Sequence, residues 1–498
     1  MEDSLKKRYS IKLFANVFTV IIGAFIIAIV PKALGPVAYG QFIYLQEFFM
    51  KIIGFLDMGS SIAFFTKLSA KHTRKELITF YFIYSLFVLI FILSFLLTID
   101  FIGYSQLILP NISNEYIYLG LFFGFFTWFT QVFIKISDAY ALTVSVELIK
   151  IAHKIISLLL LIYFVYFTAF DLNAYFDFLY ISLISFVFIL SWLFIKKGIF
   201  DKSILNINFG FNSLLKEFIE YVSPLLVNSI IVVLVGLFDI WLLQYIAGSA
   251  QLGFYGLAYG IVAMCFVFTS AMTPIIMREF AKSYEQKDLE HIRRLFFRYI
   301  PMLYSLAAFF GVFISFQNES LLFIFTDEKF KDASLVLAIL AFYPLYQTYG
   351  QLSGSIFYAA GQTKLIRNIS FISQPIGLLL SFVFIYLLEY EAAGLGLKLL
   401  ITALITVNIQ LYLNSKFLNF KMKYFIWHQT YSVLFFVLFA YLSSNIISID
   451  SQLISFFVSG FIYTIFVIIF TYLFPQIFAT TKEEIHIYLK RVISVVKK

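Results

Sequence analysis

The residues of this sequence that could do chemistry are ionisable side chains that interrupt long apolar stretches. Glu47 and Lys51 are four residues apart, a spacing at which a carboxylate and an ammonium group pair on a helix. Asp57 follows six residues later, on a different face and about 9 Å along the axis. Either Lys51 binds an anion and Glu47 holds it when none is present, or the pair neutralises itself inside a helical bundle. For Asp57 we expect a structural or gating role, and Glu47 is a further gating or ion-coupling candidate.

A second group of charges lies on two neighbouring stretches. Glu147, Lys150 and Lys154 are spaced so that a helix presents all three on one face, and Lys135 and Asp138 share a face of the preceding stretch. Facing one another, these strips would form an ion-pair network. Facing a wet cavity, Lys150 and Lys154 would bind an anion, and Glu147 and Asp138 would be gating or ion-coupling candidates. Snorkelling of the lysines toward the membrane surface is the third interpretation.

The second half of the sequence has fewer such charges. Asp239, in "GLFDIWLL", is a further gating or ion-coupling candidate. Lys398 lies a few residues into a later apolar stretch, and Arg367 flanks the entry to another. These two are the cation candidates of the second half. The asymmetry predicts that cationic binding lies mainly in the first half.

Composition explains why the charges are few. Hydrophobic residues make up 61% of the 498 and charged residues 13%, whereas soluble domains have about 45–50% and about 25%. An ionisable residue at the centre of a membrane helix costs about 2.5–3.5 kcal/mol, so each one needs a partner or a wet cavity. The sequence therefore predicts a membrane protein with many spans.

Several kinds of chemistry are not expected. The single cysteine, Cys265, excludes a disulfide within the chain, and five dispersed histidines argue against a metal site. We expect no cofactor, although a proton or sodium ion is a candidate coupling ion. Nucleic acid is not an expected partner, because the net charge of +8 fits loops beside a membrane. A transferase would need a convergent acid or base constellation, and the carboxylates of the outer loops are scattered.

A spanning helix needs about 20 mostly apolar residues, and the sequence offers fourteen such stretches. They lie near 13–31, 42–66, 77–99, 116–137, 146–167, 174–195, 218–243, 252–276, 298–316, 332–359, 366–388, 393–414, 428–446 and 452–473. With this count, most of the 36 lysines and arginines fall in loops on one side, which is typical of cytoplasmic loops. Both termini are therefore predicted to be cytoplasmic.

Two similar phrases join spans on the opposite side. "ALGPVAYGQF" (33–42) connects spans 1 and 2, and "AGSAQLGFYG" (247–256) connects spans 7 and 8. Chance is one explanation, since glycine and proline favour any tight turn. The alternative is two halves of six helices each, related by an axis along the membrane normal and enclosing a substrate between them, as in many transporters.

Five phrases in this order carry a family resemblance: "LGPVAYGQF", "LDMGSSIAFFTKLSA", "LFDIWLLQYIAGSAQLGFYGLAYGI", "FTDEKFKDASLVLAILAFYPLYQ" and "AAGQTKLIRNISFIS". Together with fourteen spans, the chain resembles the Wzx-like polysaccharide flippases, which move O-antigen or capsule repeat units. They belong to the multidrug, oligosaccharidyl-lipid and polysaccharide (MOP) exporter superfamily. The resemblance implies an all-α protein of the bacterial inner membrane that flips an undecaprenyl-diphosphate-linked oligosaccharide toward the periplasm by alternating access.

The resemblance also implies an organisation and partners. Residues 1–200 would form an N-lobe and 201–416 a C-lobe around a central cavity, followed by accessory spans in 417–475 and a basic cytoplasmic tail in 476–498. The expected partners are the lipid-linked oligosaccharide and membrane lipids, with a polysaccharide polymerase and a chain-length regulator as candidates. Lys51, Lys150 and Lys154 would bind the anionic headgroup.

Three other functions stay open at this point. A drug or cation antiporter of the same superfamily should have carboxylates in its cavity, whereas these lysines favour an anion. A flippase for lipid-linked peptidoglycan precursors is harder to distinguish, because only the similarity of the sequence motifs separates it from a polysaccharide flippase. A membrane polysaccharide polymerase is the alternative from another class.

Overall fold

The computed structural model describes residues 5–70, 73–205, 210–446, 449 and 451–487, and in these ranges it contains helices and no strands. Residues 488–498, the end of the predicted basic tail, lie outside the described residues. The α-helices are α1 (Leu5–Asp57), α2 (Ser60–Ala70), α3 (Glu76–Ile102), α4 (Ser105–Ile108), α5 (Asn114–Ala139), α6 (Thr143–Phe167), α7 (Leu172–Lys196), α8 (Phe211–Ala263), α9 (Phe266–Glu285), α10 (Leu289–Phe316), α11 (Asn318–Phe325), α12 (Ala333–Leu340), α13 (Tyr343–Ala359), α14 (Thr363–Ser381), α15 (Glu391–Phe417), α16 (Lys423–Asn445) and α17 (Gln452–Leu473).

Eleven helical segments of the described chain are long and apolar enough to cross a membrane. Two of them, Phe14–Asp57 and Ser229–Ala263, each contain parts of two predicted spans. The tenth predicted span is divided between α12 and α13 by a turn at Ala341 and Phe342. The second and eighth predicted spans are also divided, by turns at Met58 and Gly59 and at Met264 and Cys265. Apart from these differences the helices agree with the fourteen predicted spans, and the chain is a multi-pass membrane protein.

The phrase that occurs twice in the sequence forms the same kind of turn twice. Gly35 (φ 76°, ψ 169°) breaks α1, and Gly248 (φ 81°, ψ 178°) breaks α8. Glycine adopts these positive φ values without the Cβ clash that other residues have. α1 has 53 residues and would be about 80 Å long if straight, whereas a membrane core is about 30 Å thick. Each break therefore ends one span and begins the next.

The two turns also pack against each other through glycine. A Cβ atom added to Gly40 would lie 2.8 Å from the backbone nitrogen of Gly253 and would overlap the carbonyl oxygen of Ser249. A Cβ atom added to Gly253 would overlap the carbonyl oxygen of Pro36. Gly40 lies five residues after the break at Gly35, and Gly253 lies five residues after the break at Gly248. The repeat therefore provides a close backbone contact that only residues without a Cβ atom permit.

The chain forms two compact units, Met1–Gly253 and Phe254–Lys498. In the first unit α1 packs along α5 and α6, and α5 packs along α2 and α7. The first part of α8 belongs to this unit. Trp241 Nε1 donates a hydrogen bond to Leu107 O at 2.9 Å, and Gln244 Nε2 donates one to Pro110 O at 3.0 Å.

In the second unit α10 packs along α13 and α16, and α15 packs along α12, α13 and α14. The two predicted accessory spans, α16 and α17, join this core: Tyr463 OH donates a hydrogen bond to Phe309 O at 3.0 Å, and Phe425 and Phe436 are fully buried. The boundary between the units falls inside α8, and the lobe boundaries at residues 200 and 416 stay predictions.

Candidate functional site

Glu47 and Lys51 form an ion pair on the second part of α1, as their spacing predicts. Both side chains keep some contact with solvent, and they are 37% and 27% exposed, respectively. The methylene groups of Lys51 lie over Gly236 of α8, since a Cβ atom at Gly236 would be 2.9 Å from Lys51 Cε. Asp239 is buried one turn later and shares that face of α8. The pair is therefore accessible to solvent, and the anion-binding role of Lys51 stays a prediction.

Asp57 ends α1 and holds the beginning of α2. Its Oδ1 accepts hydrogen bonds from Tyr81 OH at 2.8 Å, Ser60 Oγ at 3.0 Å and the Ser61 backbone nitrogen at 3.1 Å. Its Oδ2 accepts one from Ser61 Oγ at 2.9 Å. The carboxylate therefore satisfies groups at the start of α2 that the helix itself leaves unpaired. These contacts favour the structural role of Asp57, and its gating role stays a prediction.

Glu147, Lys150 and Lys154 share one face of α6. Lys150 Nζ lies 3.5 Å from Glu147 Oε2, and the Glu147 side chain is buried. Lys154 is half-buried, and within the residues that the structure describes its ammonium group has no hydrogen-bond or ion-pair partner. It lies about 16 Å along the axis from Thr143, the first residue of α6, and therefore near the middle of the helix. An ammonium group at this depth needs an anion or water as its partner.

A polar cluster next to Lys154 was not predicted from the sequence. His153 Nε2 lies 3.1 Å from Ser185 Oγ of α7, and Ser157 Oγ lies 2.9 Å from Ser182 Oγ. The histidine is buried between the two helices. The serines of α7 are spaced at one helical turn from each other, which was the available signal, but the helix that they face is not visible in a single sequence.

The remaining candidates of the first half lie at the end of α5. Asp138 Oδ1 accepts a hydrogen bond from Thr143 Oγ1 at 3.0 Å, so it contacts the beginning of α6. Lys135 Nζ lies 5.7 Å from the centre of the Phe65 ring, a distance typical of a cation–π contact. Their predicted roles in an ion network or at a cavity stay predictions.

The structure does not bring the two cation candidates of the second half together. Lys398 is 4% exposed and lies against Gly377 of α14, where a Cβ atom would be 3.1 Å from Lys398 Cε. Arg367 is exposed, and its guanidinium lies 5.9 Å from the centre of the Phe371 ring. On α14 Arg367 precedes Gly377 by ten residues, or about 15 Å along the axis. Lys398 is thus a buried cation, whereas Arg367 belongs to the end of its helix.

A further cation cluster lies where α2 ends, on the side predicted to be cytoplasmic. Lys67 Nζ lies 2.6 Å from Glu217 Oε1, and Arg74 Nη2 lies 3.5 Å from Glu217 Oε2. We call these three residues the Glu217 clamp. The hydrogen bond from Lys67 is the main reason that the pKa of Glu217 lies below its usual value. From sequence these lysines and arginines marked only the cytoplasmic side, because Glu217 lies some 150 residues from Lys67.

No group of three or more histidine, cysteine, aspartate or glutamate side chains in the described ranges is arranged to hold a metal ion.

The sequence was compared with protein families and with curated proteins. The MatE family model matches residues 224–383, which is less than half of the chain. No curated protein matches the chain.

Solved structures match over most of the chain at low identity. The structure of lipid II flippase MurJ in an inward closed conformation is 14% identical, has a TM-score of 0.70, and covers 92% of this chain and 98% of its own. An inward-facing multidrug resistance MATE family transporter of the MOP superfamily is 14% identical, has a TM-score of 0.61, and covers 81% and 94%. A MOP superfamily transporter from Pyrococcus furiosus is 13% identical, with a TM-score of 0.55 and coverage of 84% and 97%. The chain therefore has the fold that these MOP superfamily transporters share.

Proposed function

We propose that the protein moves an undecaprenyl-diphosphate-linked oligosaccharide from the cytoplasmic to the outer leaflet of a bacterial inner membrane. The headgroup would travel in a wet cavity while the polyprenyl chain stays in the lipid, and no covalent step is needed. The transporter fold supports this proposal, as do the motifs of the sequence that resemble polysaccharide flippases.

The observation that carries the proposal is the state of Lys154. A half-buried ammonium group near the middle of a membrane helix, with no anionic partner among the described residues, is costly unless water or an anion contacts it, and an anionic ligand would be such a partner. Lys150 lies one turn away on the same face, and Glu147 is the one anionic group within ion-pair distance of it in the described ranges. Two neighbouring cations on one face match a diphosphate, which carries several acceptor oxygens and more than one negative charge.

The other cations would have supporting roles. Lys51 would exchange Glu47 for the headgroup, and Lys398 would offer a second cation later in the path. A proton or sodium ion would drive the cycle, with Glu147, Asp138 and Asp239 as candidates to bind it. A polysaccharide polymerase and a chain-length regulator would receive the product.

The test is the leaflet in which lipid-linked repeats accumulate. A strain that lacks the protein should accumulate single repeats on the cytoplasmic leaflet, and Lys154→Ala should reproduce this defect while the protein still inserts. Lys154→Arg should retain part of the export, because it keeps the charge. Lys416→Ala is the matched control, since that ammonium lies 4.5 Å from the Tyr412 ring centre at the end of α15, and it should export normally. Accumulation on the outer leaflet would indicate a polymerase and contradict the proposal.

A lipid-linked peptidoglycan precursor is the second candidate substrate. The likeness to the MurJ structure over nearly the full length of both chains favours it. Complementation of a strain depleted of its own precursor flippase separates the two. Growth would favour the peptidoglycan precursor, and restored export of a surface polysaccharide without growth would favour our first choice. An organic cation is less compatible with the two lysines of α6, Lys150 and Lys154, and with Lys51, because like charges repel.

A further inference from the structure

The Glu217 clamp has the composition of an anion-binding site that is occupied by a residue of the chain itself. One oxygen of Glu217 faces Lys67 and the other faces Arg74. The side chains are 19% exposed for Lys67, 29% for Arg74 and 36% for Glu217, so an anion from solution can reach them. Arg74 also pairs with Glu76 at 3.1 Å. Two cations therefore converge on Glu217, and Arg74 has Glu76 as a second carboxylate partner.

We propose that Lys67 and Arg74 form an entry site for a phosphate or diphosphate group, and that Glu217 occupies this site as a tethered competitor until such an anion displaces it. The inference rests on the proposed function insofar as the anion is the headgroup of the transported lipid.

Geometry favours a phosphate-type ligand over the carboxylate that is present. Arginine binds phosphate through two parallel N–H groups, and lysine adds a compact positive charge. The 3.5 Å distance from Arg74 Nη2 to Glu217 is longer than the usual 2.7–2.9 Å or so of a charged hydrogen bond. Glu217 thus lies close to Lys67 and farther from Arg74, whose shorter ion pair is with Glu76. A diphosphate has enough oxygens to reach both cations at short distance.

Displacement of Glu217 would act on α8. The start of this helix is held by the clamp and by ring contacts, with Phe80 lying 4.9 Å from Phe218 and 5.2 Å from Phe211 between ring centres. The same helix carries Gly236, over which Lys51 lies. An anion that releases Glu217 would loosen the ionic half of the attachment while the rings keep the helix in place. Entry of a headgroup would then be linked to the helix beside the Lys51 pair.

A neighbouring ion pair provides a matched control. Lys75 Nζ lies 2.5 Å from Asp201 Oδ2 and donates a second hydrogen bond to Gly198 O at 2.7 Å. Hydrogen bonds from Lys75 and Ser203 lower the pKa of Asp201 to about 2. Asp201 is thus a nearby carboxylate whose pKa is also lowered, but it has one cationic partner instead of two. Its neutralisation should not open a two-cation site.

The experiment is calorimetric titration of the purified full-length protein with inorganic pyrophosphate and, separately, with farnesyl diphosphate at constant ionic strength. Removal of an internal competitor that occupies the site most of the time should tighten apparent binding in proportion to that occupancy. We expect Glu217→Gln to bind at least one of these probes about fivefold more tightly or better. Asp201→Asn should bind the probes as the wild type does. In the triple variant Lys67→Gln/Arg74→Gln/Glu217→Gln, the tighter binding caused by Glu217→Gln should be lost.

The titrations distinguish a lipid headgroup from a soluble anion as the ligand. Tighter farnesyl diphosphate binding than pyrophosphate binding assigns the site to a lipid headgroup, and the reverse assigns it to a soluble anion. Equal binding by Glu217→Gln and wild type overturns the proposal, as does a gain that survives loss of both cations. If Glu217→Gln does not fold, Glu217→Asp withdraws the carboxylate by one methylene group and should give a smaller gain. Because no transport is measured, a failure here leaves the leaflet test of the proposed function standing.

Discussion

At the scale of single residues, Lys154, which is central to the proposed function, and Lys51, which supports it, differ in their partners. Lys51 already has a carboxylate, whereas Lys154 has none in the described part of the chain. The sequence predicted the Glu47–Lys51 pair because the four-residue spacing alone brings the groups together. It did not predict the His153 cluster or the Glu217 clamp, because those contacts join residues that are far apart in the chain or lie on different helices.

A double substitution separates the two interpretations of Lys51. If Lys51 serves an anionic ligand, Lys51→Met should lower export about tenfold or more, because a hydrogen bond to a charged group contributes about 1.5–3 kcal/mol. Glu47→Gln should leave export intact or raise it. The double variant Glu47→Gln/Lys51→Met should stay defective, because the cation is still missing. Recovery of export in the double variant, measured with equal protein in the membrane, would mean that the pair only neutralises itself.

At the scale of elements, glycine decides how the helices turn and meet. Hydropathy predicted the spans well, because length and apolar content fix which segments cross a membrane. It placed the two similar phrases between spans but could not indicate that Gly40 and Gly253 contact each other. The break between α12 and α13 was not predicted as such, because the span was read as one helix, although Pro344 follows the break directly and a proline permits a bend there.

This glycine contact predicts the effect of one methyl group. Gly40→Ala and Gly253→Ala should each destabilise the protein by about 1–3 kcal/mol, since the added Cβ atom meets backbone that must shift. Gly23→Ala in α1 is the control, because a Cβ atom there has no neighbour within 4 Å. Inside a helix that substitution should be neutral or stabilising. Thermal unfolding in detergent measures the difference, and equal melting temperatures for Gly40→Ala and Gly23→Ala would refute the close contact.

At the scale of the whole molecule, the fold is better determined than the substrate. All-helical architecture and many spans follow from apolar length and the distribution of lysine and arginine. In the described residues the structure is all-helical, and its eleven long apolar segments are roughly consistent with fourteen spans. The predicted lobe boundary at residue 200 lies between helices, whereas the compact units divide inside α8, where hydrogen bonds from Trp241 and Gln244 tie its first part to the first unit. Substrate choice depends on which side chains meet a headgroup, and one sequence cannot give that.

The most direct measurement of the central claim is transfer of a fluorescent undecaprenyl-diphosphate-linked glycan across proteoliposomes that contain the purified protein. Wild type should protect the glycan from a membrane-impermeant quencher as it moves to the inner leaflet, at a rate above that of protein-free vesicles. Lys154→Met should reduce this rate to the protein-free level, and Lys416→Ala should not change it. Equal rates for wild type and Lys154→Met, or no transfer by wild type, would contradict the account.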